Sequence, residues 1–492
     1  MRERGAWGVA VCAARGYARK CFRQQECGRG VVRARSASPP PTAHVVARIE
    51  VFTLSSPPPL PPVQTPIARP LLPFPPFQAA FVLRSVAKHS PELAQAVVES
   101  GALEALVPCL EEFDPSVKEG AAWALGYIAQ HTPELAQNVV DSGAVPLLVL
   151  CVQEPEISLK RIATSALSDI AKHSPELAQA VVDAGAVSYL APLVHHPDSR
   201  LKRQVCSCLA QVAKHSVDLA EVVVEAEVFP KILDCLKDSD KYVRKNSATC
   251  IREVAKHTPE LAKLIVNAGG AAALVDYVSV SRSNARLPGI MALGYISAFS
   301  ETLALAVIVS KGVVPLRTAL IEETEDHIKA AAAWSLGQIG RHTTDHAAAL
   351  AEAGVLRHLL DLMLDDAASE DLHVKAKRAL ECVVKKCPLS SLHALDSLLK
   401  NDQAPVAVQK TVLLQFKKLL PNDVQARRDF VETGGLQYIQ ELAEKDEGGE
   451  VAGIVEEVNR LFPEEIVNYY SPHYAKKLMD QISDHRAEFA AK

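Results

Sequence analysis

The heptapeptide KHSPELA at residues 88–94 recurs along the chain in nearly fixed form. It reads QHTPELA at 130–136, KHSPELA at 172–178, KHSVDLA at 214–220 and KHTPELA at 256–262. Its histidine recurs every 42 residues, Phe299 takes the next place, and His342 follows after one inserted residue. A fixed period of this length is the signature of a helical solenoid, in which each unit packs against its neighbours. The chain is therefore expected to be a stack of units and not one globular core.

Each unit begins with the signals of a short helix. Ser90 is an N-cap residue, Pro91 occupies the first helical position, and Glu92 lies in the first turn, where the helix dipole favours an acid. The helix is expected to reach Ser100, and Gly101 then supplies a left-handed break. The same glycine recurs in later units, with Glu227 as the departure, at Gly143, Gly185, Gly269 and Gly354.

Two more helices complete the unit. Leu103–Glu112 places its leucines on one apolar stripe, and Asp114-Pro115 caps a third helix over Ser116–Ala129. Three helices per unit is the armadillo pattern, whereas HEAT units have two. The fold class predicted is all-α, an armadillo-repeat solenoid with a right-handed superhelix. Its regular units span 90–131, 132–173, 174–215, 216–257, 258–299 and 300–342.

The regular units divide the chain into three parts. Residues 1–77 are rich in Arg and Pro, with 13 prolines between 39 and 76, which predicts a disordered segment. Residues 78–445 form the predicted solenoid, regular to about 343 and degenerate after it. Residues 446–492 are expected to form a helical C-terminal cap or tail. Because Gln78–Lys88 matches only a third helix, we expect an unusual N-terminus in place of preceding repeats.

Charge is divided unevenly along the chain. The formal charge of the whole chain is −5; residues 1–77 carry 11 Lys and Arg against 3 acids, and the remainder carries 42 against 55. The body is therefore acidic and lacks the basic footprint of a general nucleic-acid-binding protein. No uncharged apolar run of about 18 residues occurs, so no membrane-spanning helix is predicted.

Cysteines and histidines at repeated positions raise the question of a metal or catalytic site. Cys109, Cys151 and Cys235 share one register in apolar helical runs, without CxxC spacing, and are interpreted as small buried hydrophobes. The repeated histidines would lie roughly 10 Å apart by helix packing, too far to share a metal ion. We interpret them as partners of carbonyls at helix C-termini. No catalytic or nucleotide-binding motif occurs, so no catalytic residue, metal ligand or cofactor is predicted.

The third helices are expected to line a groove. Residues four apart on a helix share a face, which places Glu119, Trp123 and Tyr127 together. The nuclear-import and catenin-type armadillo proteins clamp an extended peptide with a row of Asn on this face, and this chain has none there. The candidate groove residues are Trp123, Tyr127, Asp169, Gln211, Glu253, Tyr295, Trp334 and Gln338.

A basic column follows the start of the third helices and doubles in consecutive units. On an acidic body it forms a localised positive surface, which suits an acidic partner held by many weak contacts. The alternative interpretation is a solvated helix face whose charges are offset by nearby acids. We call these residues the basic stripe: Lys118, Lys160, Arg161, Lys202, Arg203, Arg244, Lys245, Arg286 and Lys329.

Four segments resemble the armadillo proteins of the central-pair apparatus of motile cilia and flagella. They are CVQEPEISLKRIATSALSDI at 151–170, KHSPELAQAVVDAGAV at 172–187, HIKAAAAWSLGQIGR at 327–341 and PEEIVNYYSPHY at 463–474. The resemblance spans about residues 78–492, with residues 1–77 departing completely and residues 362–412 diverged. The last segment holds three tyrosines, Tyr469, Tyr470 and Tyr474, as a candidate docking site.

The resemblance implies a non-catalytic interaction scaffold of the axoneme, needed for central-pair integrity and for ciliary and sperm flagellar motility. The implied partners are central-apparatus proteins and tubulin or microtubules, and no nucleic acid or membrane. The implied location is the cytoplasm, the cytoskeleton and the axoneme of the cilium or flagellum. The alternative is a soluble cytoplasmic or nuclear adaptor that binds linear peptides. Self-association is left open.

Overall fold

The computed structural model describes residues 76–401, 403–446, 449–474, 478–480 and 482–483. The disorder predicted for residues 1–77 concerns a segment that falls almost entirely outside these ranges and stays a prediction. Over the described residues every regular element is a helix, in agreement with the predicted all-α class.

The α-helices fall into successive units of three. In chain order they are α1 (Pro76–Ala87), α2 (Pro91–Glu99), α3 (Ala102–Leu106), α4 (Pro115–His131), α5 (Pro133–Asp141), α6 (Ala144–Gln153), α7 (Ile157–Ala171), α8 (Pro175–Asp183), α9 (Ala186–Leu190), α10 (Ser199–Ala213), α11 (Val217–Glu225), α12 (Phe229–Cys235), α13 (Lys241–Ala255), α14 (Pro259–Asn267), α15 (Gly270–Val280) and α16 (Leu287–Phe299). They continue as α17 (Glu301–Val309), α18 (Val313–Glu322), α19 (Asp326–Gly340), α20 (Thr344–Glu352), α21 (Val355–Met363), α22 (Glu370–Val384), α23 (Leu392–Leu399), α24 (Val406–Leu419), α25 (Val424–Glu432), α26 (Gly435–Lys445), α27 (Glu450–Asn459) and α28 (Glu464–Tyr469). Short 3-10 turns lie at Pro108–Leu110, Ala191–His195, Ser283–Ala285, Leu389–Ser391 and Leu420–Asn422.

The predicted cap of each unit's first helix is confirmed. The Ser90 hydroxyl accepts a hydrogen bond from the Leu93 N–H at 3.3 Å, which satisfies one of the free donors at a helix start. The same bond, with Ser or Thr as acceptor and a leucine N–H as donor, forms at Thr132, Ser174, Ser216, Thr258 and Ser300. The start of each unit is therefore fixed by a local sequence signal.

The turn between the first and second helices has a left-handed residue, as the glycines predict. Gly101 and Gly143 have φ of 77° and 78°. Glu227 takes the same place in the fourth unit with φ of 53°, and Lys311 takes it in the sixth unit with φ of 65°. Since side chains with a Cβ are strained in this region, Glu227 and Lys311 are strained positions.

Replacing Glu227 with glycine is expected to raise the free energy of unfolding by about 1 kcal/mol. The left-handed conformation disfavours a residue with a Cβ by about 1–2 kcal/mol, part of which is offset by the greater freedom of glycine in the unfolded chain. Urea denaturation followed by circular dichroism measures the change. Gly143→Ala is the matched opposite and should destabilise, and equal stability of Glu227→Gly and the wild type would contradict the prediction.

The prediction of one continuous second helix over Leu103–Glu112 is wrong. The α-helix ends at Leu106 and a 3-10 turn follows over Pro108–Leu110. Pro108 lacks an N–H, and its ring clashes with the carbonyl four residues earlier, so the α-helix cannot continue through it. Pro192 has the same effect in the third unit, within the turn Ala191–His195.

The third helices form the centre of the solenoid. Each packs against the third helix of the next unit, from α1 on α4 through α19 on α22. The approach is close because small residues face each other: a Cβ added to Gly126 would lie 3.2 Å from the Cβ of Ala166. One hydrophobic core runs along the stack from Ala80 to Phe462.

The unit after α22 is shorter than the others. Its second and third helices are α23 and α24, and the 3-10 turn Leu389–Ser391 stands where a first helix is found elsewhere and contacts α20. We call residues 385–423 the shortened unit. It explains why the sequence period loosens after residue 343, since a 3-10 turn replaces the first helix in this unit.

The described cysteines are free thiols, and all are buried except Cys382. This agrees with the interpretation of Cys109, Cys151 and Cys235 as buried hydrophobes. Burial raises the pKa of the Cys151 thiol to about 11, which keeps it neutral. Within the described ranges no single helix has the length and apolar character to cross a membrane, although five sharply bent pairs of consecutive helices do by length and composition alone.

Candidate functional site

The candidate groove face carries an aromatic cluster near its N-terminal end. The rings of Trp123 and Tyr127 stack with centroids 5.3 Å apart. The Arg84 guanidinium lies 4.1 Å from the Trp123 ring centroid, and the Lys88 ammonium lies 5.8 Å from that of Tyr127. Cations over aromatic faces attract by about 0.5–1 kcal/mol at exposed sites. Sequence reasoning missed Arg84 and Lys88, although each precedes its ring by the same 39 residues.

A second aromatic pair lies several units further along. The rings of Tyr295 and Trp334 meet edge to face with centroids 5.1 Å apart. These residues are also 39 apart in sequence, so they too join neighbouring third helices. The structure thus brings four of the predicted groove residues into two separate pairs, and each pair remains partly exposed.

The middle of the candidate groove is charged. Asp169 accepts a hydrogen bond from Lys172 at 2.9 Å, and burial raises the pKa of its carboxyl. Glu253 is only 6% exposed and is held by Arg252 and Lys256, so it does not present a free carboxylate to a partner. Its inclusion among the groove residues is corrected on this ground. Gln211 and Gln338 are half-buried on the same face.

The repeated histidines form a ladder between units, which confirms their interpretation as carbonyl partners. Nε2 of His173 lies 2.7 Å from the carbonyl oxygen of Ala129, at the end of the previous third helix. Since a carbonyl can only accept, Nε2 donates. The same bond, at 2.6–2.8 Å, joins His131 to Ala87, His215 to Ala171, His257 to Ala213 and His342 to Ser297.

Cations form a second ladder beside the histidines, which sequence reasoning missed. Lys214 donates to the carbonyl of Lys172 at 3.1 Å, and Lys256 donates to that of Lys214 at 2.7 Å. A positive charge at a helix C-terminus is favoured by the helix dipole. The signal was present as a lysine before the histidine at positions 88, 172, 214 and 256. Each bond of the two ladders ties one unit to the unit before it.

Lowering the pH from about 7.5 to about 5.5 is expected to destabilise the solenoid through the histidine ladder. Burial lowers the pKa of His173, His215 and His342. The unfolded chain, whose histidines titrate near pH 6.5, therefore binds protons before the folded chain does, and stability falls with pH below that value.

Urea denaturation at the two pH values measures this effect. A variant with His173, His215 and His342 replaced by glutamine keeps an amide donor at each place but does not titrate there. It should lose less stability on acidification than the wild type, and an unchanged pH dependence would assign the effect to groups other than these three histidines.

Part of the basic stripe is tied into ion pairs between units. Lys118 pairs with Glu154 at 2.5 Å, and Lys202 pairs with Asp238. Both acids lie 36 residues after their lysine, in the loop before the next third helix. Arg203 forms a two-pronged pair with Asp240 and lies over the Tyr242 ring. A fixed offset of 36 or 37 residues was the sequence signal for these partners, and it was missed.

The rest of the stripe is less engaged. Lys160 donates to the Val152 carbonyl at 3.1 Å and Arg244 to the Asp238 carbonyl at 2.7 Å. Arg161, Lys245 and Lys329 are half-buried and have no ion pair with a described residue. We call these five residues the available part of the basic stripe.

Arg286 does not belong to an exposed stripe, which corrects the sequence prediction. Its side chain is buried together with that of Glu323, and the two pair at 3.1 Å. Arg286 also donates from Nε to the Val278 carbonyl, and Glu323 accepts from the Ser283 N–H. A charged pair taken out of water is stable only when its remaining hydrogen bonds are satisfied, as they are here.

The three candidate tail tyrosines form one cluster. The ring centroid of Tyr469 lies 5.0 Å from that of Tyr470 and 5.4 Å from that of Tyr474. Tyr469 remains 60% exposed. His473 lies 3.0 Å from Glu444 at the end of α26, which connects the cluster to the body.

Protein-family models match several of the repeats. The armadillo/beta-catenin-like repeat matches residues 90–130, 132–172 and 174–214, and the HEAT repeat matches residues 228–258. The armadillo matches coincide with the first three predicted units to within one residue at their ends.

Two curated relatives resemble part of the chain. Sperm-associated antigen 6 of Homo sapiens and of Mus musculus are each 59% identical to it over 171 residues, which is 35% of this chain and 33% of each relative. The matched segment therefore spans one third of these relatives. The resemblance inferred from the sequence is confirmed. The matched stretch has 171 residues and is therefore shorter than the predicted span of residues 78–492.

A solved structure extends the likeness to most of the chain. The crystal structure of an engineered protein matches with a TM-score of 0.64 at 25% sequence identity, over 80% of this chain and 94% of that one. This match reaches beyond the units that the repeat models recognise.

Proposed function

Because the chain is an armadillo-repeat protein that shares a segment with sperm-associated antigen 6, we propose that it is a non-catalytic scaffold of the axonemal central apparatus. Armadillo-repeat solenoids are typically binding scaffolds for peptides or proteins. In this proposal the protein associates with microtubules and central-apparatus proteins in the cilium or flagellum. It supports the integrity of the central pair and the motility of cilia and sperm.

The observation that carries this proposal is the 59% identity to sperm-associated antigen 6 over 171 residues. The two ladders support it, since a scaffold must keep its binding surfaces at fixed positions. Five units are each tied to their predecessor by a histidine bond, as at His215 and Ala171, and several units by a cation as well. Such ties favour a stiff stack over a flexible chain of units.

We propose that the available part of the basic stripe binds the acidic, flexible tails of tubulin. Its five residues lie at the start of the third helices of three units, so that one extended acidic chain meets several of them in turn. Each exposed contact contributes little alone, but linked contacts act together. The paired residues Lys118, Lys202 and Arg203 are assigned to stabilising the stack instead.

Immunofluorescence in multiciliated cells or sperm tests the proposed scaffold. An axonemal signal that remains after detergent extraction supports it. A signal confined to the detergent-soluble cytoplasm or to the nucleus supports the alternative, an adaptor that binds linear peptides. The aromatic cluster of Trp123 and Tyr127 with Arg84 is the observation that favours that alternative, because such clusters suit peptide side chains.

Replacing Arg161, Lys245 and Lys329 with glutamine is expected to weaken microtubule binding about tenfold. Each substitution removes one partly exposed charge contact of about 0.5 kcal/mol, and three such losses sum to roughly the free energy of a tenfold change. Co-sedimentation with microtubules measures the change, and rising salt should weaken wild-type binding in the same assay.

The matched control replaces three exposed lysines outside the third helices, Lys237, Lys263 and Lys311, with glutamine. Net charge changes equally, so a loss of binding in both variants would show only a general charge effect. Binding lost instead on replacing Tyr469, Tyr470 and Tyr474 with alanine would move the contact to the tail.

A further inference from the structure

The shortened unit interrupts the stack of third helices. Consecutive third helices pack against each other along the described chain, and the contact between α22 and α24 is the smallest of these. The junction just before it is still close, since a Cβ added to Gly337 of α19 would lie 3.0 Å from the Cβ of Ala379 of α22. The close packing of the stack therefore ends at α22.

The contacts across this junction are apolar. The turn Leu389–Ser391 packs on α20, α23 packs on α21, and α24 packs on α22. Between residues 343–384 on one side and the described residues of 388–423 on the other, no side-chain hydrogen bond or ion pair crosses. The histidine ladder has its last described bond one unit earlier, at His342. Because apolar packing is not directional, helices joined by it alone can tilt or slide without breaking specific bonds.

Ion pairs join the shortened unit to the last unit instead. Lys410 of α24 pairs with Glu450 of α27, and Lys417 pairs with Glu457 one helix turn or two further on. These pairs hold α24 against α27 at two places along their length. The junction between α22 and α24 has no counterpart to them among the described residues.

Aromatic rings and a lysine add to these ties. The ring centroid of Phe430 in α25 lies 4.9 Å from that of Phe416 in α24 and 6.2 Å from that of Phe462 after α27. Lys400, at the end of α23, donates to the Thr433 carbonyl at 2.6 Å. Both α23 and α24 are thus attached to the last unit. We call residues 76–384 the N-terminal part and the described residues of 392–474 the C-terminal part.

Open space lies on both sides of α23. A cleft of about 640 Å³ lies between α21 and α23, with Arg357 and Ser397 in its lining. A second cleft, of about 420 Å³, lies between α23 and α25 and includes Leu389 and Asp429. A closely packed interior resists movement because side chains have nowhere to go. The larger cleft gives α23 room to tilt toward α21.

Two buried polar atoms near the junction lack a hydrogen-bond partner. They are Oγ of Ser391 in the turn and Oδ1 of Asp396 in α23, for which no donor or acceptor lies among the described residues. A buried polar atom without a partner is unfavourable, and contact with water removes that cost. Opening of this junction to water is therefore less costly than opening where all buried polar atoms are paired.

We propose that residues 385–391 form a hinge about which the C-terminal part swings as one body relative to the N-terminal part. The swing changes the distance from the basic stripe, in the N-terminal part, to the tail tyrosines, in the C-terminal part. The inference goes beyond the proposed scaffold function and does not depend on an axonemal location.

Distance distributions between pairs of nitroxide spin labels on the full chain, measured by double electron–electron resonance, test the hinge. The labels are attached to a ketone-bearing unnatural amino acid, which leaves the 11 cysteines untouched. One pair replaces Glu352 and Glu432, the exposed last residues of α20 and α25, which lie on either side of the hinge. The matched pair replaces Asp183 and Asn267, the exposed last residues of α8 and α14. Both pairs occupy the same position of the repeat and span one intervening unit.

The distribution for the pair across the hinge should be about twofold wider than that for the pair in the regular stack. Equal widths would overturn the proposal. A third pair, at the exposed residues Lys418 and Gln437, lies within the C-terminal part and should give a narrow distribution. A wide one there would place the movement inside the C-terminal part and would also overturn the hinge. Circular dichroism of each labelled chain verifies that the helices are intact.

Discussion

Replacing Arg286 with methionine is expected to lower the free energy of unfolding by about 3–5 kcal/mol, the usual effect of breaking a buried ion pair. The substitution leaves the Glu323 carboxylate buried, with the Ser283 N–H as its remaining donor, and the Val278 carbonyl loses its partner as well. Urea denaturation followed by circular dichroism measures the loss. Hydrogen exchange of α16 and α18 shows whether it is confined to these units, as expected for a stack with nearest-neighbour coupling.

The neighbouring pair of Arg282 and Glu322 provides the control for this prediction. Its charged atoms lie 3.6 Å apart, but its side chains are 57% and 49% exposed. Arg282→Met should therefore lower stability by less than about 1 kcal/mol. A double variant, Arg286→Met with Glu323→Leu, removes both buried charges and should recover much of the loss. Similar losses from Arg286→Met and Arg282→Met would refute the role assigned to the buried pair.

Replacing Gly294 with alanine is expected to lower the free energy of unfolding by about 1–3 kcal/mol through overpacking. An added Cβ would lie 2.8 Å from Cε3 of Trp334 and closer still to Cζ3 of that ring and to Oγ of Ser335. Ser335 cannot move freely, since its hydroxyl donates within α19 and toward the Ile290 carbonyl. The Trp334 ring must therefore shift away from Tyr295.

Tryptophan fluorescence measures that shift, and urea denaturation measures the change in stability. Gly453→Ala is the matched control, because Gly453 is also helical but has nothing within 4 Å of an added Cβ. That variant should gain up to about 1 kcal/mol, since alanine is the better helix former. An alanine at Gly294 that leaves both fluorescence and stability unchanged would show that the two third helices separate easily there.

Local signals of the sequence predicted the unit correctly. The N-cap at Ser90, the proline after it and the left-handed Gly101 act on residues within one or two turns, so their effect is readable from spacing alone. The histidine interpretation followed from the same period. The break at Pro108 could also be predicted, since a proline cannot continue a helix, but the predicted second helix includes this residue. The shortened unit escaped because its missing helix removes the very residues that carry the signal.

The candidate site was predicted less well, because exposure depends on partners that are distant in sequence. Lys118 and Arg286 occupy one column of the repeat, and Arg161 lies beside that column. The sequence alone predicts the same exposure for all three. In the structure Lys118 is paired, Arg161 has no ion pair with a described residue, and Arg286 is buried. These differences are set by the residue that the next unit brings to each position.

The sequence by itself therefore determined the period, the helix starts and the left-handed turns, since these depend on backbone preferences and hydrogen bonds within a few residues. Only the tertiary structure decided which cations are ion-paired, which aromatic rings meet, and that Asp396 is buried with an oxygen that lacks a donor. The physical reason is that desolvation and pairing depend on the packing of one unit against the next, and the ion-pair partners lie 36 or 37 residues away, as Glu154 does from Lys118.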